Sequence, residues 1–325
     1  MKKFNTVVAA VLLGAVVVLA GCSAKTAETP SATTTSTAPA AKAGPAIKFG
    51  SYVDTEGQVV GSAIVQLLQA NGYNVIDKTK FGTPDVVRKA YLQGDLDGAL
   101  DYTGSGAFYV GPETSPVWSD PIKGYELVKA QDLAKNNIVW LTPAPANNTE
   151  AIAVKRSFAT ANNLKTIADL ATYVNGGGSI KLIGNQTWFD RDLGLKGIFK
   201  AYGFTLPKAN LIGLSDGNTA QFIKAVANGT DGVNAAEVYA TDGGLAQIDL
   251  VVLTDPKSIP PVYNPAPVFR KAIIDAYPQL PDVLAPLFKT LTIENLQQLN
   301  KAVGVDGKDA KTVAKDYLTA NKLLP

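Results

Sequence analysis

The stretch GTPDVVRKAYLQGDLDGALDYTGSG, residues 82–106, reads as one α/β unit from end to end. Thr83 followed by Pro84 marks a helix start, with the threonine as N-cap and the proline at the first helical position, where a missing N–H is harmless. Val86, Val87, Ala90 and Tyr91 then share one helical face, and Gly94 ends the helix. Asp95 to Tyr102 reads as a strand edge that feeds the glycine-rich turn Thr103-Gly104-Ser105-Gly106.

The alternation continues on both sides. Upstream lie a strand at Ala46–Val53, a helix from Val60 with Ile64, Leu67 and Leu68 on one face, and a strand at Tyr73–Ile76. Downstream, Ile138–Leu141 and Glu150–Val154 read as strands flanking the turn 143–148, with a helix after Thr166 and a strand at Ile180–Ile183. A helix capped by Gly203, another at Thr219–Ala227, and strands at Gly232–Tyr239 and Leu250–Leu253 follow. A proline-rich stretch, 256–267, leads into C-terminal helices. Such alternation predicts parallel-type sheets covered by helices on both faces. About 280 residues of it is large for one simple sheet and predicts two α/β lobes.

What the 325 residues lack is equally informative: there is no histidine, one cysteine, and one methionine at position 1. Histidine triads, histidine-ligated zinc, Cys-His nucleophiles and disulfides are thereby excluded. Thirty basic against 28 acidic residues give no field to hold nucleic acid. Catalysis would have to use carboxylate pairs such as Asp54/Glu56, Asp95/Asp97 or Asp190/Asp192, and no nucleophile elbow, Walker loop or dinucleotide fingerprint is present. A surface-anchored carboxylate-dependent hydrolase stays an alternative, but nothing asks for an enzyme, a cofactor or a metal.

Lys2 and Lys3 precede an apolar run from Val7 to Leu19 that ends in Leu19-Ala20-Gly21-Cys22. This predicts a signal peptide over 1–21 and, at the only cysteine, a bacterial lipobox in which Cys22 takes the lipid. Residues 22–46, rich in Ser, Thr, Ala and Pro, read as a flexible lipid-anchored linker. Beyond it, Tyr52, Tyr102, Trp188, Phe189, Tyr239 and Tyr263 stand beside turns that follow predicted strands, where ligands of α/β folds collect. Each ring taken singly reads better as ordinary packing, and it is as a group that they point to a site.

Six ordered motifs carry a resemblance: Asp54-Thr55-Glu56-Gly57; Gly82-Thr83-Pro84-x-Val86-Val87-Arg88; Asp101-Tyr102-Thr103-Gly104-Ser105-Gly106; the run Trp140 to Thr149; Tyr239-x-Thr241-Asp242-Gly243; and Pro265-Ala266-Pro267-Val268-x-Arg270. From about Ile47 to the C-terminus the chain resembles the osmoprotectant-binding lipoproteins of ABC importers, which take glycine betaine, choline, carnitine or related quaternary amines. The resemblance implies an α/β clamshell of the type II periplasmic-binding-protein class, each lobe a mixed sheet flanked by helices, with two hinge crossings. It places lobe one at 47–147 and 255–325 and lobe two at 148–254. It implies a monomer that closes on an osmolyte outside the cytoplasm and delivers it to permease and ATPase subunits. A clamshell ligand sensor is the remaining alternative.

The resemblance further implies ligand contacts from Asp54, Thr83, Tyr102, Thr103, Asn148 and Thr241, with Thr83 equally a helix cap and Arg88 and Arg270 bracing the lobe. The family's aromatic box holds a quaternary ammonium by cation–π attraction. Here Ala99 replaces a usual tyrosine, Glu150 a usual aromatic, and Tyr52 a usual lysine. Trp188 and Phe189 are candidates to supply the missing walls. Losing a lysine and gaining a carboxylate predicts a pocket for a cation without a carboxylate, such as choline, if Glu150 faces the ligand. If it faces solvent at the hinge, the prediction lapses.

Overall fold

Residues 82–106 form the helix Pro84–Gln93, ended by Gly94 in the left-handed conformation, and the strand Gly98–Tyr102. Thr83 stands at the N-cap with extended backbone, but its side chain makes no capping bond. The strand is not an edge. It lies at the centre of a sheet with every residue buried.

The computed structural model describes residues 41–215 and 219–325. The predicted signal peptide, Cys22 and most of the linker lie outside the described residues. Ten strands are described: β1 (Ile47–Tyr52), β2 (Val75–Gly82), β3 (Gly98–Tyr102), β4 (Ile138–Trp140), β5 (Glu150–Lys155), β6 (Leu182–Asn185), β7 (Leu211–Leu214), β8 (Ala235–Tyr239), β9 (Leu250–Val252) and β10 (Pro265–Arg270). They make two five-stranded sheets, ordered β2-β1-β3-β10-β4 and β7-β6-β8-β5-β9. In each, three strands run parallel and the fourth is antiparallel to both neighbours. That fourth strand, β5 or β10, is the one the chain enters after crossing from the other sheet.

Each sheet is covered by apolar clusters on both faces. Over the first sheet, Ile47, Phe49, Ile64, Leu68 and Phe288 form one cluster, and Val87, Tyr91, Leu96 and Trp140 belong to the other. Clusters around Leu182 and Trp188, and around Phe222 and Val226, do the same for the second. Strands buried on both faces need continuous rather than alternating apolar residues, which is why short runs such as GALDY and LIGN are enough.

The proline-rich stretch hides β10. Pro265 and Pro267 turn their backbone edge away from β3, and their carbonyls accept from Ala144 and Leu141 at 2.8 and 2.9 Å. Ala266 and Val268 face β3, so the missing proline N–H groups fall where the partner is loop rather than strand. The end of the expected linker also differs. Lys42 N–H donates to Gly72 at 2.8 Å, and the Tyr277 hydroxyl donates to the Pro45 carbonyl at 2.8 Å. Gly44, at φ +150°, lies against the Tyr277 ring, where a Cβ would come within 2.6 Å of it. Residues 42–46 therefore belong to the folded body.

The two crossings, 141–149 and 253–264, lie side by side. Asn148 N–H donates to Tyr263 at 2.9 Å, Tyr263 N–H to Asn147 Oδ1 at 2.8 Å, and Thr149 Oγ1 to Pro261 at 2.9 Å. Asn264 Nδ2 donates to Ala146 at 2.8 Å. This ladder ties together the two stretches of chain that join the sheets.

Candidate functional site

Where the first crossing enters β5, it runs beside the end of β8. Glu150 pairs with Tyr239, and Ala240 N–H donates to Thr149 at 3.0 Å. Residues directly opposite in an antiparallel pair share a face, so Glu150 and Tyr239 project together, with Glu237 two residues along on the same face. Arg191, just past the short helix Gln186–Asp190, reaches this face from the side: its Nη2 donates to both oxygens of Glu150. Glu150 is thus buried on an arginine of its own chain, facing neither solvent nor an empty cation seat. Burial raises its carboxyl above the ordinary value, against the Arg191 charge.

Glu237 accepts from the Asn185 amide, and burial pushes it up to about 8, opposed by that amide and reinforced by Glu150. Tyr263, on the second crossing, covers Gly104, where a Cβ would sit 2.7 Å from its ring. Leu193, two residues past Arg191, packs against the first sheet's cluster, to which Tyr52 and Tyr102 belong and against which Tyr263 also packs. The Arg191 segment therefore bridges the two lobes.

Three predicted ligand residues converge elsewhere, on Glu56. Tyr102 Oη donates to Glu56 Oε1 at 2.9 Å and Asn148 Nδ2 to the same oxygen at 3.2 Å. Thr241 Oγ1 and Asn300 Nδ2 donate to Oε2 at 2.6 and 2.8 Å. Asn300 also holds the Thr241 carbonyl at 2.8 Å, and Gln297 holds that of Ala240 at 2.8 Å. Burial pushes Glu56 up to about 7 although Thr241, Asn300 and Tyr102 all donate to it. One carboxyl thus gathers the first lobe, the hinge and the end of β8.

The other predicted residues are spent locally. Asp54 caps the helix Thr55–Ala70, accepting from Gly57 at 2.8 Å. Tyr52 stacks on Tyr102 at 5.7 Å and donates to buried Asp101 at 2.7 Å, where Tyr91 also donates at 2.7 Å. Thr103 Oγ1 donates to Val262 at 3.0 Å and accepts from Asn264 at 3.1 Å, a hinge tie. Thr83 is exposed beside the end of β1. Trp188 and Phe189 do not rebuild an aromatic wall: they lie in the second lobe's core with Leu195 and Ile198, 1% and 7% exposed. Arg88 is held by Asp132 through two hydrogen bonds of 2.6 and 2.7 Å.

Of the residues singled out in the sequence, the structure sets Glu150, Tyr239 and Tyr263 beside Arg191 and Glu237, and gathers Tyr102, Asn148 and Thr241 with Asn300 on Glu56. The sequence reading did not single out Arg191, Glu237, Asn300 or the central place of Glu56. Among the described residues no cluster of potential metal ligands occurs.

Residues 45–320 match the family described as the substrate binding domain of ABC-type glycine betaine transport systems. Over 272 residues the chain is 45% identical to the glycine betaine-binding protein YehZ of Escherichia coli K12, covering 84% of this chain and 89% of that protein. A glycine-betaine-binding protein of Pseudomonas aeruginosa is 29% identical over 284 residues, 86% of this chain and 88% of that one. The structure of apo YehZ from E. coli superposes with a TM-score of 0.77 at 44% identity, covering 86% of this chain and all of that one. The two mixed sheets with paired crossings are those of a type II periplasmic binding protein, and the chain belongs to the family of substrate-binding domains of ABC-type glycine betaine transport systems.

Proposed function

We propose that this protein captures a small zwitterionic quaternary amine of the glycine betaine type outside the cytoplasm and presents it, lobes closed, to the permease of an ABC importer. The observation that carries the ligand class is Arg191 set against Glu150, with Tyr239 and Tyr263 beside them. A guanidinium fits a ligand carboxylate, and tyrosine faces with carboxylates fit an alkylated cation. The expectation of a carboxylate-free ligand rested on a lost lysine and a gained carboxylate, Glu150; Arg191, which pairs with Glu150, supplies the positive charge that the lysine's loss removed. The betaine-binding names of the relatives support the same class. With part of the usual aromatic box replaced, by Ala99 among others, the grip on the ammonium is weaker than a full ring of aromatics gives.

Closure joins residues of both lobes around the ligand and shifts an equilibrium that the Glu56 contacts bias toward the closed arrangement. A thermal-shift series over betaine, choline and carnitine tests the reading. Betaine raises the unfolding midpoint in a concentration-dependent way because it binds only folded protein. A midpoint unmoved by betaine at millimolar concentration rejects it.

The Leu19-Ala20-Gly21-Cys22 motif supports attachment by a lipid on Cys22, and among the described residues no helix is long and apolar enough to cross a membrane. Cys22→Ala is expected to move the protein from the membrane to the soluble fraction. Retention in the membrane would reject the anchor.

A further inference from the structure

The Arg191–Glu150 pair is incomplete. Both contacts come from the same nitrogen, Nη2, while Nε is buried without a partner. A carboxylate gripping Nε and Nη2 together would make the parallel fork that this geometry forgoes. Arg88 shows the finished form, with Nη1 and Nη2 each on its own oxygen of Asp132. The Arg191 side chain also keeps 26% of its surface, against 10% for Arg88, so it has room to turn.

We propose that Glu150 is a built-in competitor for the anionic end of the ligand. Its carboxylate occupies the guanidinium that a ligand carboxylate needs, and a zwitterion enters by exchanging partners. The ligand carboxylate takes Nε and Nη2 of Arg191, and the ligand cation takes the place of Arg191 in front of Glu150. This deepens the betaine-type reading and rests on it.

Charge accounting makes the exchange selective. Before and after it, every buried charge has an opposite neighbour, because the ligand brings one of each sign. A cation without a carboxylate displaces Arg191 from Glu150 and strands the guanidinium. A carboxylate without a cation takes Arg191 and strands Glu150, beside a second carboxyl, Glu237, that is itself 3% exposed. Stranding a buried charge is far costlier than exchanging its partner. Glu150 therefore lowers affinity for a lone anion by competing for Arg191, seats a lone cation only by stranding Arg191, and leaves every charge paired for a zwitterion alone. Leu193, two residues past Arg191, packs against the first sheet's apolar cluster, so the segment that carries Arg191 touches both lobes.

The test is calorimetric titration of three ligands of similar shape: glycine betaine, choline, and 3,3-dimethylbutyrate, which replaces the ammonium nitrogen by carbon. They are measured on the wild type, Glu150→Gln, and the double variant Glu150→Gln/Arg191→Gln. In Glu150→Gln, 3,3-dimethylbutyrate should gain about tenfold, the scale of a charge-assisted contact regained, while choline loses affinity. The double variant should lose the gain, since it acts through Arg191. The proposal is overturned if betaine binds the wild type and the three affinities keep their ratios in Glu150→Gln. If betaine binds neither the wild type nor Glu150→Gln, the betaine reading falls and the proposal with it. An unfolding midpoint verifies that each variant is folded, and Glu150→Ser, judged by the same ratios, replaces Glu150→Gln if that variant is not.

Discussion

Two arginines in this molecule meet carboxylates, and the two pairs do opposite work. Arg88 and Asp132 lie inside the first lobe, where Tyr91, Trp140 and Asn136 complete the network at 2.7–2.8 Å. Asp132 has no exposed side-chain surface, and both guanidinium Nη atoms are engaged. Arg191 and Glu150 lie where the two lobes meet, with one nitrogen engaged and Nε free. The residue types are nearly the same. What separates brace from binding site is how completely the hydrogen bonds are satisfied and whether the guanidinium can turn.

The comparison can be broken most forcefully at the brace. Asp132→Ala should cost about 3–5 kcal/mol of stability in a denaturation experiment, because it leaves the Arg88 charge buried and unpaired. Betaine affinity of the folded fraction should stay within about twofold of wild type, since no binding residue moves. A small loss of stability would mean that the two pairs do not differ in kind.

Glu56 provides a contrast with both pairs, as a buried carboxyl held by neutral donors and no arginine. Its value is raised from 4.5 to about 7, so the folded protein keeps a proton that the unfolded chain has already lost in that range. The native state then binds more protons, and stability falls as pH rises from about 4.5 to 7, by on the order of 3 kcal/mol, and is flat above. Glu237, raised to about 8, works in the same direction over a wider range. Melting curves from pH 5 to 8 should show this decline, and Glu56→Gln should flatten it. Asn148 Oδ1 has no partner in the structure, so a flipped amide can accept from the glutamine. An unchanged slope in Glu56→Gln would place the proton elsewhere.

The smallest effect is expected at the cleft pair itself. Glu150→Gln should change the stability of the unliganded protein by less than about 1 kcal/mol, because the Arg191 side chain keeps 26% of its surface and can turn to water once its partner is neutral. A loss comparable to that of Asp132→Ala would make it a second brace.

The frame was legible because it is written locally. Gly94 and Gly203 end their helices in left-handed conformation, as a glycine after an apolar stripe implies, and the Thr166 capping box starts another. β10 escaped because prolines argue against a strand until one sees that their backbone edge faces a loop. β7 escaped because four residues, Leu211–Leu214, carry too little pattern. The site was legible only in part, since its partners are far apart in sequence. Glu150 and Arg191 are 41 residues apart and Glu56 and Asn300 are 244 apart, which no motif spacing connects. Trp188 and Phe189 were misplaced because a ring after a strand end can turn into the core as readily as into a cleft, and only packing decides.

The central claim is that Arg191 receives the ligand while Arg88 holds the lobe. Calorimetric titration of glycine betaine into Arg191→Gln tests it most directly. Loss of one charge-assisted contact, about 1.5–3 kcal/mol, should weaken binding by at least about tenfold in protein shown to be folded by its unfolding transition. Wild-type affinity in Arg191→Gln would contradict the account.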